Sequence, residues 1–301
     1  MLSDKRLIAI LGLSRGGTNH LAQCIHACEA VVGLTEGISR LIQPTRKPGR
    51  QILTPAAVQR GVFKPTKRFE AARIVCLNKV NYTLVAYPGA WVRFLAADNR
   101  TRTIVLLRNP LMIHQSRLRF VRTRKPQRTR WTDPHQLGRE LLELLAMAWR
   151  LPEATIVFHE AALADGYAGF LQDRLDLKRE EKSAPESCPD CDARLRVRRR
   201  ESDDPNDWLF CPSCQRFIEG EGEYNFLRRE EDLEHYRRQE AEARDPTVLS
   251  ALRESVGTTV VDFFLDGRHW TSAGPTALRQ ALDAQPDRWR PIRLDEILYP
   301  Y

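Results

Sequence analysis

Short, mostly apolar runs alternate with helical patterns along the first half of the chain. The apolar runs predict buried strands at residues 7–11, 73–77, 103–107 and 154–158, because parallel strands covered on both faces read as unbroken hydrophobic segments. Apolar residues at helical spacing predict helices at residues 18–30 and 89–98, one after Asn109, and a long one from Asp133 through residue 149.

Strands that alternate with helices predict an α/β fold with a parallel central sheet and helices on both faces. In such folds, binding sites lie at the carboxyl ends of the strands. The glycine-rich, basic and acidic motifs of this chain follow its predicted strands directly, so we expect them to share one edge of the sheet.

The pattern is interrupted at residues 183–223, where the composition changes. Residues 1–182 and 224–301 are therefore predicted to form the α/β domain, and residues 183–223 a small insertion. After the insertion we predict a charged helix at residues 226–244 and another beginning at Asp245. A strand at residues 258–265 and a last helix at residues 275–284 follow.

The composition is that of a folded protein, with 42% hydrophobic residues in a chain of 301. The net charge of +8 suits a polyanionic cofactor, an acidic substrate or nucleic acid, and it does not separate these three. No apolar run approaches the roughly 20 residues of a membrane span, and the N-terminus lacks the apolar core of a secretory signal. We therefore expect a cytoplasmic protein with no membrane partner.

The segment GLSRGGT joins the first strand to the first helix, an arrangement that presents backbone N–H groups and a helix N-terminus to an anion. The lysine of the nucleotide-triphosphatase loop is missing, because Thr18 follows the second glycine, Gly17. The basic residue is Arg15, inside the loop.

A second anion motif lies in RTIVLLRNPLMIHQS, where Arg108 ends a predicted strand and Ser116 falls in the next helix. Both side chains are expected to converge near the N-terminus of that helix, where the helix dipole favours negative charge. Two phosphate sites on two strand-to-helix turns suit a nucleotide with phosphates at both ends of its ribose.

LGLSRGGTN and VLLRNPLMIHQS resemble the 5′-phosphosulfate loop and the 3′-phosphate motif of sulfotransferases that use 3′-phosphoadenosine 5′-phosphosulfate (PAPS). VCLNKVNYTL is similar to the N-K-x-x-x-T segment of the tyrosylprotein sulfotransferase branch. The resemblance covers about residues 5–175. It implies a P-loop sulfotransferase-like fold, PAPS as sulfonate donor and a hydroxyl-bearing small molecule, sugar or peptide as acceptor.

The resemblance also implies roles for single residues. Arg15 would lie against the transferring sulfonate, Lys79 would be a second cation at the leaving oxygen, and Glu36 would be the catalytic base. Arg108 and Ser116 would hold the 3′-phosphate, and the amides of the loop would hold the 5′-phosphate. The full set of implied cofactor-binding residues is Ser14, Arg15, Gly16, Gly17, Thr18, Asn19, Arg108 and Ser116.

Two departures from the family pattern concern this site. Gly16 stands where the family frequently has a serine. The downstream loop that usually binds the 3′-phosphate is not recognisable, and Arg268 is a candidate to replace it. The identity of the base also stays open between Glu36 and the histidines. The competing candidates are His26, His114 and the pair His159 and Glu160.

Elementary chemistry is consistent with these roles. Sulfonate transfer, like phosphoryl transfer, has a loose transition state with charge gathering on the leaving oxygen, so positioned cations and amide donors supply most of the catalysis. The transferring group carries one negative charge instead of two, which reduces the need for a metal ion.

The insertion contains two C-P-x-C sequences in the spacing C-x₂-C-x₁₉-C-x₂-C. This spacing is typical of a structural zinc ribbon with four thiolate ligands and no open position. The predicted zinc ligands are Cys188, Cys191, Cys211 and Cys214.

Five of the seven residues at 194–200 are arginine, which predicts a basic surface on the ribbon. An acidic carrier or an acidic protein would fit it, while nucleic acid is less well supported because no aromatic residues are interleaved. A second basic segment, residues 117–130, reads as a solvated loop.

Two other classes of function remain open from the sequence. One is a different P-loop nucleotide enzyme, such as a kinase that binds ATP with the arginine loop. The other is a binding protein that works through its zinc ribbon and keeps only the scaffold of a cofactor-binding fold.

Overall fold

The computed structural model describes most of the predicted α/β domain and part of the insertion. The described residues are 5–26, 28, 31–34, 72–77, 88–97, 100–124, 129–163, 168–177, 193–194, 196–198, 208–213, 216–217 and 230–294.

The core of the protein is a five-stranded parallel sheet with the order β2-β3-β1-β4-β5. Its strands are β1 Arg6–Gly12, β2 Val31–Leu34, β3 Ile74–Leu77, β4 Thr101–Leu107 and β5 Thr155–Phe158. The four strands predicted from apolar runs are all present, and together they have the order β3-β1-β4-β5 with β2 added at the edge.

The register of the sheet brings the ends of β1 and β4 together. Gly12, the last residue of β1, pairs with Leu106, and Leu107 pairs with Phe158 at the end of β5. The residues that follow these strands therefore start from neighbouring positions along one edge.

Helices connect and cover the strands. In chain order they are α1 Thr18–His26, α2 Pro88–Ala97, α3 Pro110–Arg124, α4 Pro134–Arg150, α5 His159–Leu163 and α6 Ala168–Leu175, then α7 Glu230–Glu242, α8 Pro246–Val256, α9 Thr258–Leu265, α10 Gly274–Asp283 and α11 Pro286–Trp289. Short 3₁₀ turns lie at Thr129–Thr132 and Arg268–Trp270.

Successive residues of β1 point to opposite faces of the sheet, and each face has its own core. Leu7, Ala9 and Leu11 join a large cluster with α2, α3, α4 and the C-terminal helices. Ile8 and Ile10 join a smaller cluster with α1 and α6. The prediction of a parallel sheet with helices on both faces is thus confirmed at the level of an α/β fold.

Three helix starts follow the expected capping chemistry. Asp133 Oδ1 accepts from the amide of His135 at the start of α4, with Pro134 as the first helical residue. Asp245 caps α8 in the same way. Asn109 Oδ1 accepts from the Leu111 amide at 3.0 Å, which fixes the start of α3 directly after β4.

The predicted strand at residues 258–265 is wrong, because this segment is the helix α9. Its β-branched and aromatic residues favour a strand locally, but packing overrides a weak propensity. Phe263 and Phe264 lie on Phe158 of β5, with ring centroids 5.4 and 6.0 Å apart from it. The buried positions are spaced three apart, as a helix requires, and a short apolar run does not reveal this period by itself.

Two other boundaries needed correction. The helix predicted over residues 18–30 ends at His26, and the apolar residues after it form β2, which was not predicted. The basic segment at 117–130 is not a solvated loop in its described part, because α3 continues to Arg124 and Arg117 is fully buried.

Arg150, at the end of α4, fixes the C-terminal part of the described chain. Its guanidinium donates to the carbonyls of Trp289, Arg290 and Ile292 at 3.0, 3.2 and 2.9 Å. Trp289 is fully buried and donates from its indole to the Leu282 carbonyl. The last helices are thereby packed against the same core as α4.

A separate three-stranded antiparallel sheet lies in the predicted insertion. Its strands are β6 Arg196–Arg198, β7 Trp208–Cys211 and β8 Arg216–Phe217, in sequence order. Cys211 is buried at the end of β7, whereas Cys188, Cys191 and Cys214 lie outside the described residues. The zinc site and the domain boundaries stay predictions.

In the described parts of the chain, no helix combines the length and the apolarity that a bilayer-spanning segment requires.

Candidate functional site

The candidate site lies at the carboxyl edge of the sheet, between β1 and β4. The helix after β1 packs on one face of the sheet and the helix after β4 packs on the other. Neighbouring strands whose chains depart to opposite faces leave a crevice between them, which is where open α/β sheets bind their ligands.

The loop after β1 begins with a tight turn. The amide of Gly16 donates to the carbonyl of Leu13 at 2.9 Å, and Arg15 has a φ of 70°. A positive φ at the third turn position is typical of a type II turn and is unfavourable for any residue other than glycine by roughly 1–2 kcal/mol. Strain of this kind clusters at functional sites, where surrounding contacts enforce it.

The contacts that hold Arg15 come from the β4 side of the crevice. Its Nε donates to Ser116 Oγ at 3.1 Å, and its guanidinium carbon lies 5.2 Å from the centre of the Phe120 ring. Its own carbonyl accepts from Arg108 Nη1 at 3.0 Å. The structure therefore brings Arg15, Arg108 and Ser116 into direct contact, although more than ninety positions separate the first from the others.

Arg108 is held from a third direction by the C-terminal part of the chain. Its Nε and Nη2 both donate to the hydroxyl of Tyr236 on α7, at 3.0 and 2.5 Å. Its side chain is 15% exposed and lies 3.7 Å from Glu160 Oε1. Sequence reasoning missed Tyr236, because nothing in the charged segment of α7 marks that residue.

Glu160 links two parts of the site. Its Oε1 accepts from the amide of Asn109 at 3.0 Å, beside the contact with Arg108. The carboxyl is fully buried, and burial raises its pKa, an effect that the nearby Arg108 charge opposes. His159 and Glu160 were predicted together as candidates for the catalytic base. The described contacts of Glu160 are instead those of a residue that stabilises the β4–α3 turn.

His159 packs directly against the glycine loop after β1. Gly17 has a φ of 89°, and a Cβ added there would lie 2.9 Å from His159 Cγ and still closer to Nδ1 and Cε1 of the same ring. Burial, Arg108 and His20 together lower the pKa of His159 well below 6.5. The imidazole is therefore neutral at physiological pH, and it adds no positive charge to the loop.

Three buried groups form a cluster behind Arg108. Ligand atoms of Glu160, Glu240 and His269 lie within 4.8 Å of one another, a distance compatible with a cation. Glu240 already accepts from Trp270 Nε1 at 2.9 Å and is 3.2 Å from His269 Nε2. Arg108 supplies positive charge at Glu160, so the contacts fit a hydrogen-bonded support better than a metal centre.

Arg117 is a second buried cation below the loop. Its Nη2 lies 2.5 Å from Glu140 Oε2 on α4 and 3.5 Å from the Ser14 carbonyl, and its guanidinium faces the Trp131 ring at 5.8 Å. This residue joins the loop to α3 and α4. A sequence pattern of clustered arginines did not distinguish it from its exposed neighbours.

The other loop residues implied as cofactor ligands are described mainly by backbone hydrogen bonds within the loop and at the start of α1. The Gly16 amide is engaged by Leu13, so a phosphate would reach it only if that bond opened. Gly17 and Thr18 stand at the start of α1, where the first helical bond runs from the Leu21 amide to the Gly17 carbonyl. Asn19 is exposed on the first turn of α1.

The remaining predicted residues divide into two groups. Glu36 and Lys79 lie outside the described residues, two positions after the ends of β2 and β3 respectively. Their roles stay predictions from the sequence.

The other candidates lie elsewhere. His26 is the last residue of α1. His114 Nε2 lies within hydrogen-bond distance, at 3.0 Å, of the Thr132 carbonyl oxygen. Arg268 pairs with Asp266 at 3.3 Å and lies over the Phe263 ring.

A scan against protein-family models finds no match to this chain, and a search of curated proteins finds none with significant similarity. The class that fold and site define is therefore an α/β protein with a parallel sheet and an arginine-bearing glycine loop at its topological switch point. Such a site can bind an anion between two positively charged turns.

The contact between Gly17 and His159 predicts an unequal response to two alanine substitutions. Gly267 also has a positive φ, 72°, but a Cβ there would meet nothing closer than 4.0 Å. Gly267→Ala should cost about 1–2 kcal/mol from backbone strain alone, and Gly17→Ala about 1–3 kcal/mol more from overpacking. Urea unfolding of both variants measures the difference.

His159→Ala in the Gly17→Ala background should recover part of that additional loss, with a coupling energy of about 0.5–3 kcal/mol. Equal costs for the two glycine variants would contradict the packing of His159 on the loop.

The lowered pKa of His159 predicts a loss of stability in mild acid. Below pH 6.5 His159 binds a proton in the unfolded state but not in the folded state, because its folded-state pKa is lower. The free energy of unfolding therefore falls as pH falls. The slope is up to about 1.4 kcal/mol per pH unit for one group.

Chemical unfolding at several pH values should show that His159→Asn lacks this slope. The comparison with wild type isolates the effect of His159 from that of Glu160, whose raised pKa changes stability with pH in the opposite direction. Parallel pH profiles for the two proteins would refute the assignment.

Proposed function

We propose that this protein is a sulfotransferase that moves a sulfonate group from PAPS to a hydroxyl acceptor. The observation that carries the proposal is the junction of Arg15, Arg108 and Ser116 at the ends of β1 and β4. These residues belong to the two motifs that resemble the phosphate sites of PAPS-dependent sulfotransferases. Because Arg15 lies more than ninety positions from Arg108 and Ser116, their direct contact supports the idea that the two motifs form one site.

The geometry favours a ligand with two separate phosphate groups. One anion would lie at the N-terminus of α1 beside Arg15, and a second at the N-terminus of α3 beside Arg108. A nucleotide phosphorylated at both the 3′ and the 5′ position of its ribose spans two such turns. ATP, whose phosphates form a single chain, would use one of them.

In the proposed reaction the acceptor oxygen forms a bond to sulfur while the bond from sulfur to the 5′-phosphate oxygen breaks. Arg15 and Lys79 would stabilise the negative charge that gathers on the departing phosphate. Glu36 would take the acceptor's proton as the oxygen attacks, a contribution of roughly 10²- to 10⁴-fold in rate. The roles of Lys79 and Glu36 rest on the sequence resemblance alone.

The structure also supports a charge argument for the loop. His159 is neutral, and the charge of Arg117 is paired with that of Glu140. The exposed guanidinium of Arg15, which donates to Ser116, would add positive charge beside a bound anion.

Nucleotide binding tests the proposal. Isothermal titration should detect binding of adenosine 3′,5′-bisphosphate, the expected product, with affinity at least about 10-fold greater than for ATP. Arg108→Ala should weaken binding of the bisphosphate by roughly 10- to 100-fold. Arg102→Ala is the matched control, because Arg102 is exposed on the same strand at its opposite end and should leave the affinity unchanged.

Turnover separates the roles of Lys79 and Arg108. The rate at which the bisphosphate is released from PAPS is measured with 4-nitrophenol as a test acceptor or with water. In Lys79→Ala this rate should fall by about 10²- to 10³-fold, while the affinity for the bisphosphate changes little. A preference for ATP would instead support a kinase-like enzyme. Oligonucleotide binding that weakens steeply with salt, without nucleotide binding, would support a ribbon-based binding protein.

We further propose that the insertion binds one structural zinc ion through Cys188, Cys191, Cys211 and Cys214. The burial of Cys211 at the end of β7, followed by the turn at Pro212, supports a thiolate held in a folded loop. Bound zinc would supply a tetrahedral cross-link between the two C-P-x-C turns.

Metal analysis of the purified chain should find about one zinc ion per chain. Cys211→Ser should lose that zinc, whereas Cys24→Ala, a substitution of a buried cysteine of the main core, should retain it. Zinc retained by Cys211→Ser, or iron in its place, would overturn the ribbon assignment.

A further inference from the structure

The orientation of Arg108 depends on two side chains that lie far away in the sequence. Tyr236 accepts two hydrogen bonds from the Nε and Nη2 edge of the guanidinium. Glu160 lies 3.7 Å from Nε, and the Arg15 carbonyl accepts from Nη1. The arginine is thus held from three separate elements, α7, α5 and the loop after β1.

Tyr236 orients the guanidinium without cancelling its charge. Burial raises the pKa of the Tyr236 phenol, and the charge of Glu160 raises it further, so the hydroxyl stays neutral and acts as an uncharged acceptor. A carboxylate that accepted from both Nε and Nη2 would form a bidentate ion pair with Arg108 and weaken its attraction for an anion, whereas Glu160 lies 3.7 Å from Nε. The ring also lies within 5.7 Å of the guanidinium carbon, a further contact that fixes the plane.

Glu160 couples the arginine to the helix that follows it. By accepting from the Asn109 amide, Glu160 Oε1 fixes the peptide bond between Arg108 and Asn109, directly before α3. Asn109 in turn caps that helix through its side chain. The positive end of α3 and the guanidinium of Arg108 are consequently aligned by one buried carboxyl group.

A second layer of contacts aims α7 at the site. Glu240, one turn after Tyr236, accepts from the indole of Trp270 and lies 3.2 Å from His269 Nε2. The rings of Tyr236 and Trp270 meet edge to face at 5.8 Å. These contacts tie α7 to the 3₁₀ turn at Arg268–Trp270 and limit how far the Tyr236 hydroxyl can move.

Preorganisation of this kind affects binding more than it affects the fold. A free arginine side chain has about 2 kcal/mol of rotamer entropy, which must be lost when it grips a ligand. Where other contacts have already ordered the side chain, this entropy is lost when the protein folds, and ligand binding no longer carries the cost.

We infer that Tyr236 and Glu160 are positioning residues that hold Arg108 and the start of α3 in the geometry that selects a nucleotide with a 3′-phosphate. The inference rests on the proposed function and deepens it, because it assigns the selectivity of the anion site to residues outside the two phosphate motifs. Neither side chain touches the reacting atoms in this assignment.

The test compares two ligands that differ only in the 3′-phosphate. Isothermal titration with adenosine 3′,5′-bisphosphate and with adenosine 5′-monophosphate gives a selectivity ratio for each variant. In wild type the bisphosphate should bind roughly 10- to 100-fold more tightly. Tyr236→Phe, which keeps the ring and removes the acceptor, and Glu160→Gln, which keeps the amide contact and removes the charge, should each lower that ratio about 5- to 10-fold.

The loss should come from weaker binding of the bisphosphate, with affinity for the monophosphate nearly unchanged. Arg150→Met is the control, because Arg150 donates to the carbonyls of Ala146 and of the C-terminal turns, none of which belongs to the candidate site. It should lower the melting temperature and leave the selectivity ratio at the wild-type value.

The outcomes separate the two levels of inference. A wild-type ratio near one would overturn the proposed function itself. A high wild-type ratio that Tyr236→Phe and Glu160→Gln retain, or tighter bisphosphate binding in Tyr236→Phe, would overturn the positioning role alone. Melting temperatures that fall without a change in ratio would assign both residues to the fold and also refute the inference.

Discussion

The bond from the Arg108 guanidinium to the Arg15 carbonyl joins the two strand-to-helix turns on which the whole site is built. It is made possible by the pairing of Gly12 with Leu106, which brings the ends of β1 and β4 side by side. The left-handed backbone at Arg15 is tolerated because that carbonyl and the guanidinium of Arg15 both have partners on the β4 side. Sheet register, loop conformation and charge placement are therefore aspects of one constraint.

Much of the framework could be predicted from the sequence, because it is specified by local signals. Unbroken apolar runs identified β1, β3, β4 and β5, and capping residues located the starts of α3, α4 and α8. The parallel sheet followed from the alternation of these elements. The same logic indicated that Arg15, Arg108 and Ser116 would start from one edge, since strand ends in a parallel sheet coincide.

What the sequence did not reveal depends on packing between distant segments. The helix α9 is built from residues that favour strands, and only its burial against Phe158 decides the outcome. Arg117 is hidden among exposed arginines, and its partner Glu140 lies on a different helix. Tyr236 is one tyrosine in a charged helix, and its importance is visible only when Arg108 lies beside it. No spacing rule connects such pairs.

The position of Tyr236 has a consequence for how the chain is divided. The predicted insertion at residues 183–223 divides the α/β domain into residues 1–182 and 224–301, and the hydroxyl that orients Arg108 comes from the later segment. The surroundings of Arg108 are in this sense a composite of early and late parts of the polypeptide. A fragment that ended before α7 would keep both strand-to-helix turns and still lack the Tyr236 hydroxyl, so the smallest autonomous unit with this geometry is longer than the two turns suggest.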